Sequence, residues 1–167
     1  MKLVRHLLAI LFVAASAVTV SAQASSILKS VNLGDGVYAL IGPVGAREPG
    51  NMGLNANYGV IDTPQGTVLI DSGASNASAA LLAKEAAALT GKPVKWVINT
   101  GSQDHRWLGN AYFASQGAEI IAFEGTVATQ KKVGAQQIDA LKKTLKERMD
   151  GTTPAYATRI LKDSPAK

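Results

Sequence analysis

The chain has 167 residues, 47% apolar and 17% charged, with a formal net charge of +5 and no cysteine. That length suits about one domain with a buried core. An absence of thiols excludes disulfide staples and thiolate chemistry, so any metal would have to be held by His, Asp, Glu or Gln.

The first 22 residues read MKLVRHLLAILFVAASAVTVSA: Lys2 and Arg5 precede an unbroken apolar run that ends in the small residues Val20, Ser21 and Ala22. This pattern predicts a signal peptide cleaved before Gln23 and a periplasmic or secreted protein. The competing reading, an uncleaved membrane anchor, is disfavoured because the run is short for a span and ends in a cleavage pattern, so no stable span is expected after cleavage. Losing Lys2 and Arg5 lowers the formal excess from +5 to +3. The densest charge, Lys142 to Arg148, alternates around an amphipathic segment, as a solvated helix face does, and no nucleic-acid partner is expected. With His6 in the leader, His105 is the only remaining histidine.

In chain order, Val31 to Ile41 predicts a hairpin turning at Gly34, Asp35 and Gly36, followed by an aperiodic loop, GPVGAREPGNMGLN. Tyr58 to Ile61 and Thr67 to Ile70 flank DTPQG as a second hairpin. A helix over Asn76 to Thr90, stopped by Gly91 and Pro93, leads to VKWVINT, Val94 to Thr100, which reads as a strand buried between helices. Asp104 is placed to cap a helix carrying Leu108, Ala111, Tyr112 and Ser115 on one face, with Gly117 closing it before the strand AEIIAF. Gly125 to Asp150 has helical spacing at Ile138, Leu141 and Leu145, and the chain ends in another strand at best. Trp107, Tyr112 and Phe113 are assigned to the core.

Two strand ends carry polar residues: Asp71 with Ser72 and Gly73, and the stretch Gly101 to Arg106. Ligands in α/β layers bind at such carboxyl ends, where loops and helix N-termini converge. His105 reads either as a zinc ligand or general acid/base, or as a helix-start histidine bonded to its neighbours. Asp104 reads as a ligand or catalytic carboxylate, or as an N-cap. Arg106 reads as an anion binder, or as an ion-pair partner of Asp71 or Asp104.

The hairpin ending in VLIDSG, the helix, the strand VKWVINT and the following turn with GN, across Val31 to Phe123, resemble the metallo-β-lactamase superfamily. The resemblance implies the N-terminal half of an α/β fold, an αββα sandwich with a mixed sheet and helices, in a domain over residues 23–167 truncated at its C-terminus. It also implies zinc-dependent hydrolysis of an ester, amide or related bond in a small-molecule substrate. The family's turn reads THxHxDH and binds one or two zinc ions. Zinc needs about four N, O or S ligands, with a position left open for a water that loses its proton near neutral pH.

Aligned without gaps, the family's first two histidines fall on Gly101 and Gln103, its Asp on His105 and its third His on Arg106. A shift of one residue restores Asp104 and His105 as the Asp-His pair. The resemblance thus implies His105, Asp104 and Gln103 as metal ligands, Asp104 and His105 as catalytic, and Asp71 and Arg106 as supporting residues. Asp71 is expected to take N–H bonds from the turn at Ser72 to Ala74. The remaining ligands of the family lie in a second half, and no histidine follows His105. QDHRWLGN further resembles an exported subgroup associated with periplasmic quinoprotein and sulfur-oxidation systems. That likeness opens a second expectation, a binding or accessory protein with a degraded metal site.

Overall fold

In a computed structural model, residues 27–162 are described; the expected leader, residues 1–22, lies outside them. A seven-stranded sheet runs β1 (Lys29–Gly34), β2 (Val37–Ile41), β3 (Asn57–Thr63), β4 (Gly66–Ile70), β5 (Val94–Ile98), β6 (Glu119–Phe123) and β7 (Arg159–Leu161), each strand beside the next in sequence. The first four strands pair antiparallel through short turns, and β4 to β7 pair parallel. Three crossovers join the parallel strands: α1 (Asn76–Thr90), then α2 (Asp104–Trp107) with α3 (Asn110–Ser115), then α4 (Glu124–Leu145). All three step in the same direction, and the right-handed rule for such connections puts their helices on one face.

The core lies under that layer. Leu40, Val60, Leu69, Val97 and Ile120 project from the sheet and are fully buried against Ala79, Leu82 and Ala86 of α1, Phe113 of α3 and Val127 of α4. A smaller cluster packs Trp107 and Leu108 against Ile138, Leu141 and Leu145 of α4. Trp107 and Phe113 are therefore core, as expected, while Tyr112 is half-buried and edge-on to Phe113.

Both hairpins and α1 form where the sequence predicts them. The first turn places Gly34, Asp35 and Gly36 at positive φ. Ser75 caps α1 by accepting the Ser78 N–H, and Gly91 closes it in the left-handed region at φ 69°.

Three expectations change. VKWVINT is not covered on both sides: β5 ends at Ile98, and its second face, with Trp96 and Ile98, has no helix over it among the described residues. The helix from Asp104 is two helices, broken at Leu108–Gly109, with Gln103 rather than Asp104 at the N-cap. The break has a steric and a hydrogen-bond cause: Gly109 donates to the Gly73 carbonyl at 3.1 Å, so close to the β4 exit that a Cβ there would lie 2.0 Å from the Ser72 oxygen. Finally, the long helix ends at Leu145, because Lys146 takes φ 51° and the chain continues as a 3-10 turn over Lys146–Met149.

Candidate functional site

The parallel strands end together, and the polar residues cluster there. Asp71 is the first residue past β4 and sits at φ 64°, a conformation that costs a non-glycine residue energy and recurs at functional sites. Its backbone N–H bonds the Ile98 carbonyl at 2.9 Å, which ties the two strand exits together. The carboxylate accepts from the Thr100 N–H at 2.8 Å and from the Thr100 hydroxyl at 2.7 and 3.0 Å. The expected bonds from Ser72 to Ala74 are not made, because Ser72 and Gly73 donate instead to the carbonyls of Arg106 and His105, both at 3.1 Å. Burial pushes the Asp71 carboxyl up in pKa, and the Thr100 bonds and the nearby Arg106 and His105 only partly offset it.

A buried amide network holds the floor of the turn. Asn99 and Asn110 exchange side-chain hydrogen bonds at 2.8 and 3.0 Å, and Ser72 donates to Asn110 at 2.8 Å. From α4, Gln130 donates to the Gly101 carbonyl at 3.2 Å and Gln137 to the Ser102 carbonyl at 2.8 Å, while Gln137 also accepts the Trp107 indole N–H at 3.0 Å. The turn 99–107 is thus fastened to β4, α3 and α4 by polar side chains.

Above it lie the residues expected to act. Asp104 and His105 adjoin: the His105 N–H donates to Asp104 Oδ1 at 2.7 Å, and His105 Nδ1 is 3.3 Å from the same oxygen. Arg47, from the loop between β2 and β3, reaches across both. Its Nη1 donates to Asp104 Oδ2, its Nη2 lies 2.8 Å from His105 Nδ1, and its Nε donates to Asn55 at 3.1 Å. Burial alone would raise the Asp104 carboxyl; the bonds from His105 and Arg47 and the Arg47 charge overcome this and hold it at about 2.

Arg106 bonds the Thr100 hydroxyl and lies 4.0 Å from Asp71, so of its two expected partners it takes Asp71. Gln103 is exposed, its amide oxygen 2.9 Å from where a Cβ on Gly101 would sit. Two buried donors, the Tyr58 hydroxyl from β3 and Arg106 Nε, have no hydrogen-bond partner among the described residues. The Tyr58 phenol is pushed up in pKa by burial and then by the Asp71 charge, which puts it within the field of this site.

The donors among the described residues do not by themselves make up a zinc site. Among the described residues no three His, Cys, Asp or Glu side chains group to hold a metal. Both Asp104 oxygens and His105 Nδ1 are engaged, two of these three atoms by a guanidinium whose fixed positive charge would oppose a divalent ion.

The structure brings Asp71, Asp104, His105 and Arg106 together at the strand ends, with Gln103 exposed beside them, and adds Arg47, Tyr58, Thr100 and the amides of α4, which the sequence did not single out. Arg47 had one available signal: with Glu48 it is the only charge in a loop otherwise made of glycine, proline, asparagine and apolar residues.

A sheet of antiparallel then parallel strands, with helices on one face and a charged turn at the strand ends, is the architecture of metallo-β-lactamase-like proteins. Residues 52–119 match the sequence model of the Metallo-beta-lactamase superfamily. The fold is similar to that of a metallo-β-lactamase from Hirschia baltica, at 20% identity and TM-score 0.57, covering 81% of this chain and 52% of that one. It is also similar to FIM-1 from Pseudomonas aeruginosa, solved in a mono-zinc form, at 14% identity and TM-score 0.57, covering 84% and 53%. A third likeness, at 16% identity and TM-score 0.54, is to a metallo-β-lactamase from Erythrobacter litoralis, covering 66% and 47%. No curated protein matches the chain. The sequence match covers residues 52–119 and points to the metallo-β-lactamase superfamily, the solved structures share the fold, and the chain spans about half the length of the solved proteins it resembles.

Proposed function

We propose that this is an exported member of the superfamily that binds a small polar molecule at its strand-end site without a resident zinc ion. The observation that carries this reading is the Arg47 guanidinium, which bridges Asp104 and His105 and so engages the two side chains best suited to hold a metal. The Tyr58 hydroxyl and Arg106 Nε, unpaired among the described residues, favour a ligand that brings acceptor oxygens, such as a carboxylate, since a buried donor without a partner costs about 1–3 kcal/mol. Export rests on the residue pattern of Met1 to Ala22.

A second reading, zinc-dependent hydrolysis of an ester, amide or related bond, is favoured by the superfamily match, whose fold suggests a metal-dependent hydrolase. Dialysis against zinc followed by elemental analysis separates the two. The binding reading expects substoichiometric metal, a melting temperature indifferent to chelator, and thermal shifts with small carboxylates that survive His105→Ala. Stoichiometric zinc that disappears in His105→Ala would overturn it in favour of the hydrolase.

A further inference from the structure

We infer that the helix layer carries a second ligand site, a cavity between α1 and α3 that takes a short apolar carboxylate, its chain inward and its charge at the rim. α1 has 15 residues and α3 has 6, about 22 Å and about 9 Å at about 1.5 Å per residue, so α3 covers only part of its neighbour. Beside the last turn of α3 lies a cavity of about 310 Å³, at the lower end of the range for small-molecule sites. Its apolar walls are Ala80, Ala83 and Ala87 of α1, Pro93 and Val94 at the start of β5, and Phe113 of α3. Val94 and Phe113 are buried core, so a hydrocarbon chain lying against them leaves water for an apolar surface.

This cavity is separate from the strand-end site. Val94 opens β5, whereas the polar turn begins only after Ile98 at the other end, about 13 Å along the strand. It lies on the helix side of the sheet, so its walls do not depend on what covers the opposite face.

The rim selects the charge. Its polar lining residues are Lys84, Tyr112 and Gln116, and none is acidic. Lys84 is exposed and forms no ion pair among the described residues; its helical neighbours Ala80, Leu81, Ala87 and Ala88 carry no carboxylate. A lysine lays its apolar stem along such a wall and keeps its ammonium in water. The Tyr112 hydroxyl has no hydrogen bond among the described residues, and the Gln116 amide reaches only the Ser115 hydroxyl, at 3.5 Å. One cation and two neutral donors around an apolar cleft match a carboxylate on a hydrocarbon chain, whereas an ammonium there would face Lys84.

Octanoate, titrated below its micellar range into the isotope-labelled protein, tests the site by nuclear magnetic resonance. Saturable shifts are expected at the backbone amides of Ala83, Ala87, Val94 and Gln116. Octanol should move the same amides about threefold to tenfold more weakly, and Lys84→Gln should weaken octanoate by the same factor, the loss of one charge-assisted contact at a wet rim. Ala87→Leu, an exposed and helix-compatible change that fills the cavity, should weaken octanoate by about tenfold or more. Shifts confined to Thr100, His105 and Arg106 would put the ligand at the strand ends and overturn the proposal. Absent or unsaturable shifts overturn it as well, as do octanol binding as tight as octanoate and octanoate affinity unaltered by Lys84→Gln or by Ala87→Leu. The shift map and the octanol comparison, both made on the unmodified protein, decide the matter even where a variant fails to fold.

Discussion

The Arg47 guanidinium and the Asp104 carboxylate, 57 residues apart in sequence, are hydrogen-bonded in the structure, and the same guanidinium reaches His105 Nδ1 at 2.8 Å. One side chain thereby fastens the loop between β2 and β3 to the turn after β5. Arg47→Ala should cost about 1.5–3 kcal/mol, the range for hydrogen bonds to charged groups. Arg47→Lys should recover only part, because an ammonium cannot present two parallel donors to two acceptors. Urea unfolding, with limited proteolysis of the loop, measures both; equal stability of all three proteins would remove the fastening role.

The low Asp104 pKa has a definite consequence for pH dependence. Folded Asp104 titrates at about 2, below its ordinary 3.8, so its contribution is fully present above the ordinary value and is lost as pH falls through the folded one. Asp71 is shifted the other way, so its effect has the opposite sign: stability relative to the unfolded chain declines as pH rises from the ordinary carboxylate value towards the raised one. Between about pH 4 and pH 2 the unmodified protein should lose more stability than Asp104→Asn does, as read from urea midpoints at each pH. Parallel curves for the two proteins would contradict this assignment.

Gly109 is an all-or-none position. A Cβ there would meet the Ser72 oxygen at 2.0 Å and the Ala79 Cβ at 2.8 Å, and the first of these is backbone, which cannot move aside. Gly109→Ala should cost more than about 4 kcal/mol or abolish folding. Gly117→Ala makes a useful contrast: it has open space around it but φ 84°, and should cost only about 1 kcal/mol. Circular dichroism melts of the two variants decide it, and comparable losses would refute the close approach.

Gln137 joins the α4 layer to the site turn through the Ser102 carbonyl at 2.8 Å and the Trp107 indole at 3.0 Å. Gln137→Leu keeps the bulk but leaves both groups unpaired, and a loss of about 1–3 kcal/mol is expected. The emission spectrum of Trp107 should change with it. A variant as stable as the parent, with an unaltered spectrum, would show that the peg is dispensable.

Much of the strand and helix order was legible locally. Both hairpins announced themselves through Gly34-Asp35-Gly36 and Pro64-Gln65-Gly66, and α1 through its run of alanine and leucine ending at Gly91. The break at Gly109 was not legible, because it follows from a contact with Ser72 and Gly73, some 36 residues upstream and one strand away. The same holds for Asp71, whose residue type signalled a site but whose partner, Thr100, comes from the neighbouring strand exit.

Local periodicity, turn chemistry and composition by themselves determined the hairpins, α1, a cysteine-free chain with one histidine beyond residue 22, and the position of a polar turn where a strand hands over to a helix. Only the tertiary structure decided which charges meet there. A guanidinium from a loop remote in sequence reaches Asp104 and His105, and glutamines from α4 fix the turn beneath them. Periodicity cannot encode such contacts, because they depend on where separate elements come to lie once apolar burial has packed them.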